Sequence, residues 1–108
     1  MGGITKVAAL NDEFRRTMLG GRVVMAQGVH TLALDKQVRV MEAVRTFNSF
    51  NVANDPWSEH DFGSFVLDGE KYWWKIDCYA PDMLHSSEDP TDPAKTIRVL
   101  TVGAPSDY

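Results

Sequence analysis

The chain has 108 residues, 44% of them hydrophobic and 24% charged, with a formal net charge of −4. This is the composition of one globular domain spanning residues 1–108, and it excludes a disordered, collagenous or membrane-spanning chain, since no apolar run approaches the ~20 residues of a span. The single Cys78 excludes an internal disulfide and a cysteine-based zinc site; with no apolar leader in Met1–Lys6, the expected location is the cytoplasm.

In chain order, residues 5–19 read as a helix. Val7, Leu10, Phe14 and Met18 recur along one face, at the 3.6-residue period. Gly20-Gly21 is its expected stop, and Arg15 and Arg16 sit in the last turns, where the helix dipole favours cations. Arg22–Ala26, β-branched at Val23 and Val24, reads as a short strand. A second helix is expected over 35–48, with Asp35 as N-cap and an apolar stripe of Val40, Met41, Val44 and Phe47. Residues 48–56 read as a loop. Residues 60–67 and 70–79 read as two strands joined by Asp68-Gly69, a dipeptide suited to a type I′ turn. The acidic segment Pro81–Pro93 holds three prolines and has no regular structure in this reading. Met83 and Leu84 are its expected anchors to the core, and Ser86–Asp89 reads as a capped turn. Residues 96–102 form the last strand, stopped by Gly103-Ala-Pro105. The fold class is α+β, in the order α-β-α-β-β-β: an antiparallel sheet built on the central hairpin, with two helices packed on one face.

A two-residue turn fixes the hairpin register. It sets Phe65 opposite Tyr72, Gly63 opposite Trp74, Phe62 opposite Lys75 and His60 opposite Asp77. Alternation places Phe65, Leu67, Tyr72, Trp74, Ile76 and Cys78 on the core face. His60, Phe62, Ser64, Trp73, Lys75, Asp77 and Tyr79 share the other. His60 beside Asp77 is the sharpest chemical feature, because a carboxylate orients an imidazole and fixes its tautomer. Such a pair serves as a general base or contributes to a metal site, or it is a plain cross-strand bond. The histidines at 30, 60 and 85 match no metal-ligand spacing, and the glycines form no phosphate loop. No metal or cofactor is expected. Trp73 with Phe62 is either an exposed aromatic patch or is covered by the acidic loop.

Charge is segregated along the chain. Residues 1–54 carry seven basic and four acidic groups, whereas residues 55–92 carry ten acids against only Lys71 and Lys75. An anionic middle repels phosphate and attracts basic protein surfaces.

Several segments resemble, in collinear order, a family of short uncharacterised alphaproteobacterial proteins, a domain of unknown function found chiefly on plasmids and prophages. They are Ala9–Arg16, Gly20–Val24, Glu59-His60-Asp61-Phe62-Gly63-Ser64-Phe65, Trp74–Asp77, Ser87–Pro90 and Arg98–Thr101. Glu-His-Asp-Phe-Gly is the most specific piece, and Cys78 departs from the aromatic often found there. The resemblance implies no activity. It does imply that Glu59, His60, Asp61, Trp74, Lys75 and Asp77 belong to the family's signature. The mobile-element setting implies an accessory role, including inhibition of host defence of the anti-CRISPR kind.

The expected function is therefore a small acidic, non-enzymatic binding protein that occupies a basic or nucleic-acid-binding surface of a partner protein. Its expected contact residues are Glu59, His60, Asp61, Trp73, Lys75, Asp77, Glu88, Asp89 and Asp92. The alternative is a small hydrolase or metal-dependent enzyme using His60 with Asp77. A third reading, nucleic-acid contact through Arg15, Arg16, Arg22, Arg39 and Arg45, is weaker because acids share those helices.

Overall fold

The computed structural model describes residues 4–108. Three helices and four strands follow in order: α1 (Lys6–Thr17), β1 (Arg22–Met25), α2 (Gln27–His30), α3 (Leu34–Arg45), β2 (Phe62–Leu67), β3 (Glu70–Tyr79) and β4 (Ile97–Gly103). The sheet order is β1-β4-β3-β2. The fold is α+β, as expected, but the sheet is mixed: β1 runs parallel to β4, with Arg22 opposite Val99 and Met25 opposite Val102. The short α2 has no counterpart in the sequence reading. Four residues are too few for an apolar period to register.

The helix ends differ in chemistry from the expectation. Thr5 caps α1, its hydroxyl accepting from Ala8 N, and the chain leaves the helix at Met18, which itself takes the left-handed conformation (φ 56°) before the two glycines are reached. Asp35 lies inside the first turn of α3, whose N-cap is Ala33. There its charge meets the positive end of the helix dipole instead of capping an amide.

The hairpin follows its expected register over six pairs, from Leu67 opposite Glu70 to Phe62 opposite Lys75. Asp68 and Gly69 have φ of 53° and 77°, the two positive values a type I′ turn requires. Lys36 and Arg39 of α3 clasp this tip: Arg39 donates two bonds to Asp68, at 2.7 and 2.9 Å, and Lys36 one to Glu70 at 2.6 Å.

The core lies between the helices and one face of the sheet. Phe14, Val29, Val40 and Val44 pack on Tyr72, Trp74, Ile76, Leu100 and Val102. Gly63 sits opposite Trp74 because nothing larger fits: a Cβ there would stand 2.5 Å from Trp74 Nε1 and 2.7 Å from the Phe47 ring.

Trp73 does face the other way, yet it is only 7% exposed. Its cover is not the acidic loop but the segment after β4. Trp73 Nε1 donates to Ala104 O at 2.7 Å, and Tyr108 packs edge-on against the indole at 5.4 Å. A 3₁₀ turn, Pro105–Asp107, holds this cover in place through Asp107, whose carboxylate accepts from Gly28 N and Ala104 N. Within the acidic loop Met83 is half-buried, whereas Leu84 points into solvent and anchors nothing.

Replacing Trp74 by Ala should remove about 3–5 kcal/mol of stability, the cost of emptying a fully buried aromatic site. Urea titration checks this, and a midpoint equal to wild type would deny Trp74 its central place in the core.

Candidate functional site

The hairpin ladder ends where Ile76 N donates to Asp61 O at 2.8 Å. Beyond it the chain leaves the sheet. Ser58 and His60 both adopt left-handed backbone, with φ of 54° and 53°. Two non-glycine residues in that region, one residue apart, are strained and must be held by their surroundings. The holder is Asp55. Its buried carboxylate accepts from Glu59 N at 3.0 Å and from His60 N at 3.2 Å.

His60 is thereby turned away from Asp77, so the expected His60–Asp77 pair does not form. The imidazole instead reaches α1, where Nδ1 lies 3.0 Å from both oxygens of Asp12. A carboxylate only accepts, so Nδ1 carries the proton. Nε2 points toward Asp55, 3.6 Å away. The ring stacks on Phe50 at 3.8 Å, with the planes 3° apart. Asp77 pairs with Lys75 at 3.2 Å. Alternation along a strand cannot foresee this outcome, because β2 starts two residues after His60.

Behind His60 lies a buried guanidinium. Arg15 donates to Asp12 at 3.0 Å, to Val44 O at 3.0 Å and to Phe47 O at 2.9 Å. It also lies over the rings of Trp74 and Phe50, at 4.8 and 5.4 Å. Burial pushes its pKa down, opposed by the Asp12 carboxylate. Asn11 completes the join: it accepts from Arg98 Nε of β4 at 2.7 Å and donates to Glu59 O at 2.9 Å. Arg15 was read as an end-of-helix cation. Its apolar neighbours Phe14 and Met18 were the available sign that this side of α1 faces inward.

A cleft of about 240 Å³ opens beside the ring, lined by Phe50, Asn51, Val52, Asp55, Pro56, Ser58 and His60. With carboxylates facing both nitrogens and Phe50 against one ring face, His60 is arranged to anchor the loop to α1. Among the described residues no group of three or more His, Cys, Asp or Glu side chains is placed to hold a metal ion.

The carboxylates on the rim behave differently. Glu59 is pushed up by partial burial and then by the neighbouring charges of Asp61 and Asp55. Burial also pushes Asp61 up, with Asp55 and Asp77 adding to it. Glu59 and Asp61 are thus partly buried carboxylates that also feel each other's or Asp55's charge, whereas Asp77 is paired with Lys75. Of the expected acids of the long loop, two are engaged locally. Asp89 accepts from Thr91 N and Oγ1, and Asp92 caps Ala94 N, while Glu88 is exposed. Trp57, which carried no assignment in the sequence reading, is 81% exposed two residues before Glu59, on the loop that Asp55 fixes.

A family model described as protein of unknown function (DUF3768) matches residues 25–107. The chain belongs to this family. The matched segment contains His60, Asp55, Trp57 and the whole hairpin, whereas Asn11, Asp12 and Arg15 precede it. Comparison with curated proteins and with solved structures found no match to either.

Asp12→Ala leaves the Arg15 guanidinium buried without its carboxylate and should cost about 3–5 kcal/mol. His60→Ala removes one hydrogen bond and a stacked ring and should cost about 1–2 kcal/mol. Denaturant midpoints decide the order, and a loss for His60→Ala as large as that for Asp12→Ala would deny the guanidinium its place as the keystone.

The rim acids give a pH prediction. A carboxyl group whose folded pKa lies above its unfolded one stabilises the fold at low pH, and that contribution is lost as pH rises through the folded value. Glu59→Gln with Asp61→Asn should therefore raise stability at neutral pH by roughly 0.5 kcal/mol. The gain should vanish below the ordinary carboxylate range, which melting curves across pH would reveal.

Proposed function

We propose that the protein is a small non-enzymatic binding protein that docks on a basic surface of a partner protein through the rim around Trp57. The observation that carries this reading is Trp57 itself, an 81%-exposed indole on a loop fixed by Asp55, on the same stretch of chain as the partly buried carboxylates of Glu59 and Asp61. An exposed aromatic on an ordered loop is a preformed anchor that loses little entropy on binding. A cationic partner would offset the like charge at Glu59 and Asp61 and speed encounter through long-range attraction. Val52, 85% exposed on the same loop, adds apolar area. Lys75 and Asp77 extend the surface along β3, and Glu88, Asp89 and Asp92 add negative charge from the loop that follows it. Trp73, buried under Tyr108, is left out of this surface.

The partner class we propose is host proteins with a basic, nucleic-acid-binding surface, and the action inhibition by occupying it, as a mobile-element accessory role would require. The test is affinity capture from the natural host, comparing wild type with Trp57→Ala and with Glu59→Gln/Asp61→Asn/Asp77→Asn. The expected result is one dominant partner, released by salt and lost with either variant. Affinity should fall at least tenfold for Trp57→Ala, in line with loss of an interface anchor. Capture that ignores salt and both variants would remove this surface from the function.

A further inference from the structure

Among the described residues neither edge strand of the sheet, β1 or β2, pairs with a further strand, and β1 adjoins an apolar cleft walled by a helix. Ala26 N donates to Val102 O. In a parallel ladder this fixes the parity of β1: Arg22, Val24 and Ala26 point their amide groups at β4, while Val23 and Met25 point theirs outward. Among the described residues the outward groups of Val23 and Met25 have no backbone partner. The side chains of Val23 and Met25 lie on the helix side, as their partners Leu100 and Val102 do.

Beside them α3 presents Leu34 and Val38, 75% and 61% exposed, together with Met41. These residues and Met25 line an open cleft of about 320 Å³ whose charged members, Glu42 and Arg45, already pair with each other. An unpaired strand edge flanked by exposed apolar side chains is a site of strand addition.

We propose that a second copy of this chain occupies that edge, joining two sheets into one eight-stranded sheet with α3 packed against α3. The strand is self-complementary. A two-fold axis through Val24, perpendicular to the sheet, sets Val23 of each copy opposite Met25 of the other. The outward amides then make four hydrogen bonds. Val24 meets its own copy in the non-hydrogen-bonded position, a favourable β-branched pair. The same axis sets the two α3 helices antiparallel, so Leu34, Val38 and Met41 close over one another in the cleft. It also sets the first turn of one helix, which carries Asp35, beside the last turn of the other, so the two helix dipoles lie antiparallel. The uncharged edge β2, Phe62–Leu67, adjoins a cleft of about 270 Å³ at Phe62 and Ser64, but that cleft is walled by β3 and the turn after β4 and not by a helix with exposed apolar side chains.

Sedimentation equilibrium of the full chain tests this. The expected result is a monomer–dimer equilibrium in which Val38→Asp, at an exposed position, raises the dissociation constant about a hundredfold or more without changing the monomer's melting temperature. In a Cys78→Ser background, Val24→Cys should form a disulfide-linked dimer under mild oxidation. Opposed non-hydrogen-bonded positions have Cα atoms about 4.5 Å apart, within disulfide reach. Val66→Cys on the other edge should stay monomeric in the same oxidation. A monomer at every concentration overturns the proposal. So does a dimer indifferent to Val38→Asp, or one that cross-links through Val66 and not Val24. Because Trp57 is distant from this edge in sequence and belongs to another surface, partner capture can fail while the dimer stands, and the reverse.

Discussion

The guanidinium of Arg15 is the constraint around which the molecule is organised. It comes from the last turn of α1, yet its hydrogen bonds go to the carbonyls at the end of α3 and just beyond it, and its face covers Trp74 of the sheet. A cation buried this deeply demands a carboxylate, and Asp12 supplies it from one helical turn away. That carboxylate in turn has a second oxygen to satisfy, and His60 answers it. Through His60 the loop preceding β2 is fastened to α1. One ion pair therefore sets how the helices cross, where the sheet sits beneath them and how the loop carrying Trp57 is held.

The sheet uses its two faces unequally. The helix side is filled by Trp74, Ile76, Leu100 and Val102. The opposite side is covered only near Trp73, where the segment after β4 folds back and leaves Lys75, Asp77 and Tyr79 half-exposed. This asymmetry separates stability from recognition. The interior holds the apolar volume and one compensated ion pair, while the rim of β2 and β3 holds charges that repel one another. Repulsion of this kind persists in a fold only because the interior offsets it.

The hairpin was legible because everything that determines it is local. Asp68-Gly69 sets the turn, and one turn sets every pair up to Phe62. Phe65, Tyr72, Trp74 and Ile76 then fall on the inner side by parity alone. Legibility stopped at His60, where control of the backbone passes from the ladder to Asp55 and control of the side chain to Asp12, 48 residues away. The parallel pairing of β1 with β4 was hidden for the same reason, since two short apolar strands far apart in sequence carry no sign of their mutual direction. Trp73 was correctly placed on the outer face, but its cover came from Ala104 and Tyr108, residues with no periodic signal. The acids of the rim were readable as composition. Their crowding was not, because Asp55 is brought to Glu59 and Asp61 by a turn built on two left-handed residues.

The position of β4 has a consequence for how the chain is made. It lies between β1 and β3 in the sheet, although it is translated after both. Until Ile97–Gly103 has left the ribosome, β1 has no neighbour at all, and the inner side of β3 lacks Leu100 and Val102 to pack beside. The nascent chain can form its hairpin and its helices, but it cannot close its core. Folding therefore waits until Gly103 has emerged, and during that wait Val23, Val24 and the apolar strand Phe62–Leu67 are accessible to chaperones and to other nascent chains.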